Sequence, residues 1–191
     1  MMSNERRGKR MTLSEQDGQL YYRLWLPLLD YVNQKCKINR KLKNMAEAKS
    51  LEPHQVKEIA NVLWDDVSLI DQYLKEHGEK IPNEHKEIIA SWKKRVQGRF
   101  FMERHLKKGS IFIAEDEKVY QVQGIISSWE EMFWGAPMPL MIEATFMPFR
   151  DVIISDGIIM PYNIYIGGNM KRQLKDIYMN AKKSGSLIRS L

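Results

Sequence analysis

The sequence predicts an α+β protein in which an N-terminal helical bundle precedes a small antiparallel β module, a partly open barrel, closed by a C-terminal helix. In the first hundred residues, apolar side chains recur at three- and four-residue spacing, which is typical of helices. After Gly109, short β-branched and aromatic runs alternate with turn residues, which is typical of strands. The charge changes sign at the same place. We therefore divide the chain into a helical region, 1–108, and a β-rich module with its helix, 109–191.

The charge is unevenly distributed along the 191 residues. Lys and Arg number 30 and Asp and Glu number 24, a net charge of +6. Residues 1–50 carry a net charge of +6, residues 51–108 carry +1, residues 109–168 carry −6 and residues 169–191 carry +5. An anionic partner is therefore expected to bind the ends of the chain and to be repelled by the strand-rich centre.

Capping residues and prolines delimit the predicted helices. In chain order the helices begin after Ser14, at Arg40, at Pro53, at Asp65 and at Pro82. The second is expected to end at Lys49. Pro27 should kink or restart the first. The last is expected to run to about Lys107, because Ile88, Trp92 and Phe100 fall on one apolar face.

After Gly109 the sequence predicts five strands and one more helix. The strands are Ser110–Ala114, Lys118–Ile126, Leu140–Phe146, Val152–Ser155 and Asn163–Ile166, and the helix is Met170–Lys183. The first two strands should form a hairpin. Asp156-Gly157 predicts a second, tight hairpin that joins Val152–Ile154 to Ile158–Met160, because both residue types tolerate a positive φ.

An anion-binding site is predicted where the last helix begins. Its residues are Gly167, Gly168, Asn169, Lys171 and Arg172. Free backbone N–H groups at a helix N-terminus, together with two cations, can hold an anion. The alternative is that the two glycines only permit a sharp turn between strand and helix.

A partner-binding site is predicted in the proline-containing stretch from Trp129 to Leu140. Trp129, Phe133 and Trp134 would form an exposed aromatic loop that docks a partner. The alternative is a loop folded over the barrel with these aromatic side chains in the core.

The sequence predicts no catalytic residue, no metal site and no cofactor. The four histidines lack metal-ligand spacing, and Cys36 has no recognisable general base. Glu143, Asp151 and Asp156 could converge as paired carboxylates, although a turn, a strand start and an outward strand position explain them equally well. With no secretory signal and no apolar run long enough for a membrane span, we expect a soluble, cytoplasmic protein that contacts no membrane.

Several segments resemble an uncharacterised bacterial family common in Gram-positive anaerobes. The segments that carry the resemblance are Tyr22–Asn33, Trp92-Lys93-Lys94, Leu106-Lys107-Lys108, Pro148-Phe149-Arg150, Ser155-Asp156-Gly157, Gly167-Gly168, Tyr178 and Ala181-Lys182. They cover nearly the whole chain in order. Some relatives carry a Cys-rich SEC-C tail, which this sequence lacks. The resemblance implies the two-part organisation and no activity.

Three functions follow as expectations. The first is a non-enzymatic protein-interaction or regulatory protein with a protein partner of unknown identity. The second is a nucleic-acid-associated protein that uses its basic termini, Arg6, Arg7, Lys9, Arg10, Lys171, Arg172, Lys182 and Lys183. The third is a small-ligand-binding or hydrolytic enzyme that uses the carboxylates of the sheet.

Overall fold

A computed structural model describes residues 11–42, 44–46 and 52–191. The chain forms two compact units. The helical unit lies within Gln16–Lys93, and the barrel unit comprises Lys94–Leu191 together with residues 11–15. The α+β class is confirmed. The two units meet in sequence between Lys93 and Lys94, whereas the sequence places the division at Gly109.

Within its described residues, the helical unit contains four helices and two short 3-10 turns. The helices are α1 (Glu15–Cys36), α2 (Pro53–Asp65), α3 (Ser68–His77) and α4 (Asn83–Ser91), and the turns are Gly78–Lys80 and Trp92–Lys94. The helix starts expected after Ser14 and at Pro53 and Pro82 are therefore confirmed. α1 is continuous through Pro27. The helix expected from Arg40 is wrong for residues 40–42 and 44–46, which contain turns; its other residues lie outside the described ones.

Aromatic side chains form the core of the helical unit. Trp25 of α1 stacks on Trp64 of α2, with 5.4 Å between ring centroids, and meets Trp92 edge-on at 5.6 Å. All three indoles are almost fully buried. Large aromatic surfaces supply much of the burial energy of a small core.

The helix expected to end near Lys107 stops at Ser91, and strand β1 (Val96–Leu106) replaces its second half. The helical prediction is wrong there because an apolar residue every fourth position also fits a strand with one face buried. Phe100 and Met102, two residues apart, are both buried inside the barrel. Pairing with two other strands outweighs the local helical pattern.

The strands of the barrel unit form a closed ring. They are β1, β2 (Gly109–Ala114), β3 (Val119–Val122), β4 (Leu140–Phe149), β5 (Val152–Ser155) and β6 (Met160–Pro161). β1 pairs with β2 and β4, β2 with β3, and β4 with β5. A parallel contact between β3 and β5, Val122 opposite Ile153, closes the ring. Five strands joined in this order form a Greek-key barrel of the OB type.

Helices lie at the end and on the outside of this barrel. Helix α5 (Trp129–Met132) connects β3 to β4 and inserts Trp129 among the aromatic side chains of the barrel interior. Helix α6 (Gly168–Ser184) packs its apolar side, Leu174, Tyr178 and Ala181, on the outer face of the first three strands. The inward face expected for the last helix is thereby confirmed.

Two strand predictions are wrong. Asp156-Gly157 forms a turn, in which Gly157 has a φ of +82°, but β5 and β6 do not pair with each other. Both pair with the same edge of β4, one after the other along it. Asn163–Ile166 forms no strand. After Pro161, which lacks an N–H group, the Tyr162 N–H donates to the carbonyl of Met141 and the chain leaves the sheet.

No helix among the described residues has both the length and the apolar character that a bilayer crossing demands.

Candidate functional site

The segment around α5 separates its aromatic residues between the core and the surface. The Trp129 side chain is fully buried, and its ring centroid lies 4.7 Å from that of Phe112. Phe133 is half-buried and stacks on Trp129 at 6.2 Å with 8° between the ring planes. Trp134, in contrast, is 83% exposed. The core alternative is thus correct for Trp129, whereas Trp134 is available to a partner.

Local hydrogen bonds fix the backbone that carries the exposed Trp134 side chain. The Ser128 hydroxyl accepts from the N–H of Glu131 at 3.2 Å, and the Glu131 carboxylate accepts from the N–H of Ser128 at 2.8 Å. This capping box fixes the start of α5. The N–H of Ala136 donates to the carbonyl of Phe133 at 3.0 Å, which closes the turn that carries Trp134.

Apolar and acidic side chains surround Trp134 in sequence. Ile126 is 61% exposed and Met132 is 43% exposed. Glu130 and Glu131 are also exposed. Between Val119 and Phe149 the chain has three glutamates and no Lys, Arg or Asp. We call the exposed set of Ile126, Glu130, Glu131, Met132 and Trp134 the α5 patch.

The predicted anion-binding residues lie at the start of α6. Lys171, Arg172 and Asn169 are exposed, and the Arg172 guanidinium donates to the Asn169 side-chain oxygen. Neither glycine has a positive φ, and a Cβ added at Gly167 or Gly168 would meet nothing within 4 Å. The sharp-turn alternative therefore has no support. Anion binding at this position stays a prediction.

Two of the three carboxylates that could act in catalysis, Glu143 and Asp156, have hydrogen-bond partners within the barrel unit. The Tyr162 hydroxyl donates to the Glu143 carboxylate at 3.0 Å. The buried Asp156 accepts from the N–H of Ile158 at 3.0 Å within its own turn. Asp151 is exposed in the turn between β4 and β5. In the described residues no group of three His, Cys, Asp or Glu side chains could hold a metal ion.

Sequence reasoning missed an aromatic groove in the helical unit. Tyr31 of α1 and Tyr73 and His77 of α3 lie with their ring centroids 5.3 to 5.4 Å apart. They line a groove of about 490 Å³ together with Asp30, whose pKa is raised by burial and lowered in part by the Met45 N–H group. These residues come from two helices, so no local spacing signals their convergence.

Tyr31, one of the residues that line this groove, has a structural role as a partner of Lys35. The Lys35 ammonium donates to the Tyr31 hydroxyl at 2.5 Å and to the Glu76 carboxylate at 2.6 Å. It also lies 4.9 Å from the centroid of the Tyr31 ring. The cation that such an aromatic face attracts is therefore already supplied by the chain itself. Cys36, next in sequence, is exposed at the end of α1.

His105 is the histidine most closely tied to the barrel. Its Nδ1 lies 2.7 Å from the hydroxyl of the fully buried Ser110, the residue opposite it on β2. Burial lowers the pKa of the His105 imidazole, and the negative charge of Glu130 raises it in part. The folded barrel therefore favours the neutral ring.

We expect this histidine to make the free energy of unfolding depend on pH. Because its pKa is lower in the folded chain, the unfolded chain binds the proton first, and stability falls as the pH drops below about 6.5. Urea unfolding at several pH values between about 5 and 8 measures the effect. His105→Gln should flatten the slope, and His54→Gln, at an exposed position, should leave it unchanged. Equal slopes in both variants would contradict the assignment.

None of the family models, curated proteins or solved structures compared with this chain matches it. The resemblance to an uncharacterised bacterial family therefore stays a prediction.

Proposed function

We propose that this chain is a non-enzymatic, cytoplasmic protein that acts by binding a protein partner through the α5 patch. The observation that carries the proposal is the exposure of Trp134 beside a buried Trp129. Tryptophan is among the residues most enriched at the energetic centres of protein interfaces. Four of the five tryptophans are buried, so an exposed indole is exceptional in this chain.

Pre-organisation supports the same proposal. The capping box, the stacking of Phe133 on Trp129 and the closed turn hold the backbone on both sides of Trp134. A partner would therefore need to order little more than side chains, which lowers the entropic cost of association.

The charge of the α5 patch indicates what the partner presents. Glu130 and Glu131 precede Trp134 by four and three residues in sequence, and both are exposed. Cations are absent from the sequence between Lys118 and Arg150. Charge complementarity then favours a partner segment with an apolar pocket for Trp134 and Lys or Arg residues around it. Because rim charges mainly affect the association rate, binding should slow as salt concentration rises.

Affinity capture with three purified baits tests the proposal. We expect the wild type and Tyr165→Ala to recover the same protein, and Trp134→Ala to lose it, with an affinity weaker by at least about 30-fold. Tyr165 is the matched control because its ring is also highly exposed but precedes α6. Equal recovery by all three baits, or recovery by none, would contradict the proposal.

A further inference from the structure

The outward side of α6 concentrates positive charge. Five cations, Lys171, Arg172, Lys175, Lys182 and Lys183, are all exposed. At 100° per residue they fall within about 120° of the helix circumference. One carboxylate, Asp176, borders this arc. Leu174, Tyr178 and Ala181, which pack on the barrel, fall outside this arc, whereas Met179 falls within it and is partly buried against the same cluster.

These cations have no ion-pair partner among the residues that the structure describes. No carboxylate in the described part of the chain forms an ion pair with any of the five. The ion pairs of the barrel unit engage Arg99, Arg104 and Lys118 instead. Two more exposed lysines, Lys107 and Lys108, follow Leu106, which packs in the same cluster as the apolar side of α6.

An exposed aromatic ring precedes this basic helix. The Tyr165 side chain is 90% exposed, although the next residue, Ile166, is buried beside α6. The buried neighbour fixes the backbone and leaves the phenol ring in solvent. Aromatic rings of this kind, next to a row of cations, are the elements with which proteins bind single-stranded nucleic acids: bases stack on the ring and phosphates lie along the cations.

We infer that the outward side of α6, with Tyr165, binds single-stranded nucleic acid. At 17 residues the helix is roughly 25 Å long, enough for several phosphates of an extended strand. The site differs from the face that barrels of the OB type use for oligonucleotides, the surface of strands two and three. Here α6 covers that face, since Leu174 and Tyr178 pack with Ile111, Ile113 and Val119.

A single strand is favoured over two other polyanions. In a duplex the bases are already stacked, so Tyr165 would contribute little. An anionic membrane would attract the cations, but the apolar side of α6 is buried against the barrel and is not available for insertion. Both alternatives are included in the test.

Fluorescence anisotropy with a labelled oligouridine tests the inference across a range of salt concentrations. The variant Lys171→Gln/Lys175→Gln/Lys182→Gln should bind more weakly, and the slope of log affinity against log salt should decrease by about 2, since each phosphate contact contributes roughly 0.7. The control variant Lys41→Gln/Lys75→Gln/Lys80→Gln removes the same charge from exposed positions of the helical unit and should bind as the wild type does.

Variants at Tyr165 distinguish the contribution of base stacking to oligouridine binding from that of charge. Tyr165→Ala should weaken oligouridine binding about tenfold without changing the salt slope, and Tyr165→Phe should retain the affinity. Three results would overturn the inference: no binding at low salt, equal weakening in the two triple variants, or binding to anionic phosphatidylserine vesicles or duplex RNA that exceeds binding to oligouridine. Trp134→Ala should bind oligouridine normally, which keeps this test independent of the protein-partner proposal.

Discussion

Replacing Trp129 with alanine should lower the free energy of unfolding by about 3–5 kcal/mol, the range for removing a large buried aromatic side chain. Its ring is fully buried and lies between the rings of Phe112, Phe133 and Phe146. Its Nε1 has no hydrogen-bond partner among the described residues, so the loss is one of packing rather than of hydrogen bonding. The variant should also destabilise α5 and the turn that carries Trp134.

Trp134→Ala is the matched control, because it makes the same substitution five residues away on the surface. Its free energy of unfolding should stay within about 0.5 kcal/mol of the wild type. Urea denaturation followed by circular dichroism compares the two without depending on tryptophan emission. Similar losses in both variants would show that the described burial of Trp129 and exposure of Trp134 are wrong.

The second large effect is expected at Gly109, the first residue of β2. Its φ is +117°, and an added Cβ would lie 2.5 Å from the carbonyl oxygen of Val122 on β3. Gly109→Ala therefore combines backbone strain with a clash against a backbone atom. We expect a loss of about 2–4 kcal/mol.

Gly168→Ala provides the comparison for this glycine. Gly168 is the first residue of α6, and a Cβ there meets nothing within 4 Å. Alanine should leave stability unchanged or raise it by up to about 1 kcal/mol, because it favours the helix. If the Gly109 variant unfolded at the same urea concentration as the Gly168 variant, the tight approach of β2 to β3 would be contradicted.

Local sequence signals are sufficient to predict the helix starts and the hairpin turn, which depend on capping and turn residues. Ser14, Pro53 and Pro82 precede or begin observed helices, and the turn between Ala114 and Val119 joins an observed hairpin. The start of α6 was also predicted within two residues. Capping groups and turn residues act within a few positions, so a sequence alone reveals them.

The strands that the sequence does not predict correctly depend on pairing between segments that are distant in the chain. Val96–Leu106 is a strand because β2 and β4 lie on its two sides, a condition that no window of sequence contains. The same applies to β5 and β6, which share one edge of β4.

For the candidate site, the sequence places Trp129, Phe133 and Trp134 in one exposed loop and does not separate the buried ring of Trp129 from the exposed ring of Trp134. Their local composition is alike, and only the barrel interior distinguishes them.

Binding at Trp134 is the central claim, and fluorine NMR of the chain labelled with 5-fluorotryptophan tests it most directly. Each of the five tryptophans should give one resonance, Trp134→Phe identifies the exposed one, and an unlabelled partner adds no signal. On titration with the captured partner, we expect the Trp134 resonance to shift and to lose its solvent isotope effect, while the four buried indoles stay unchanged. A saturated complex in which Trp134 keeps its free shift and its solvent isotope effect would contradict the claim.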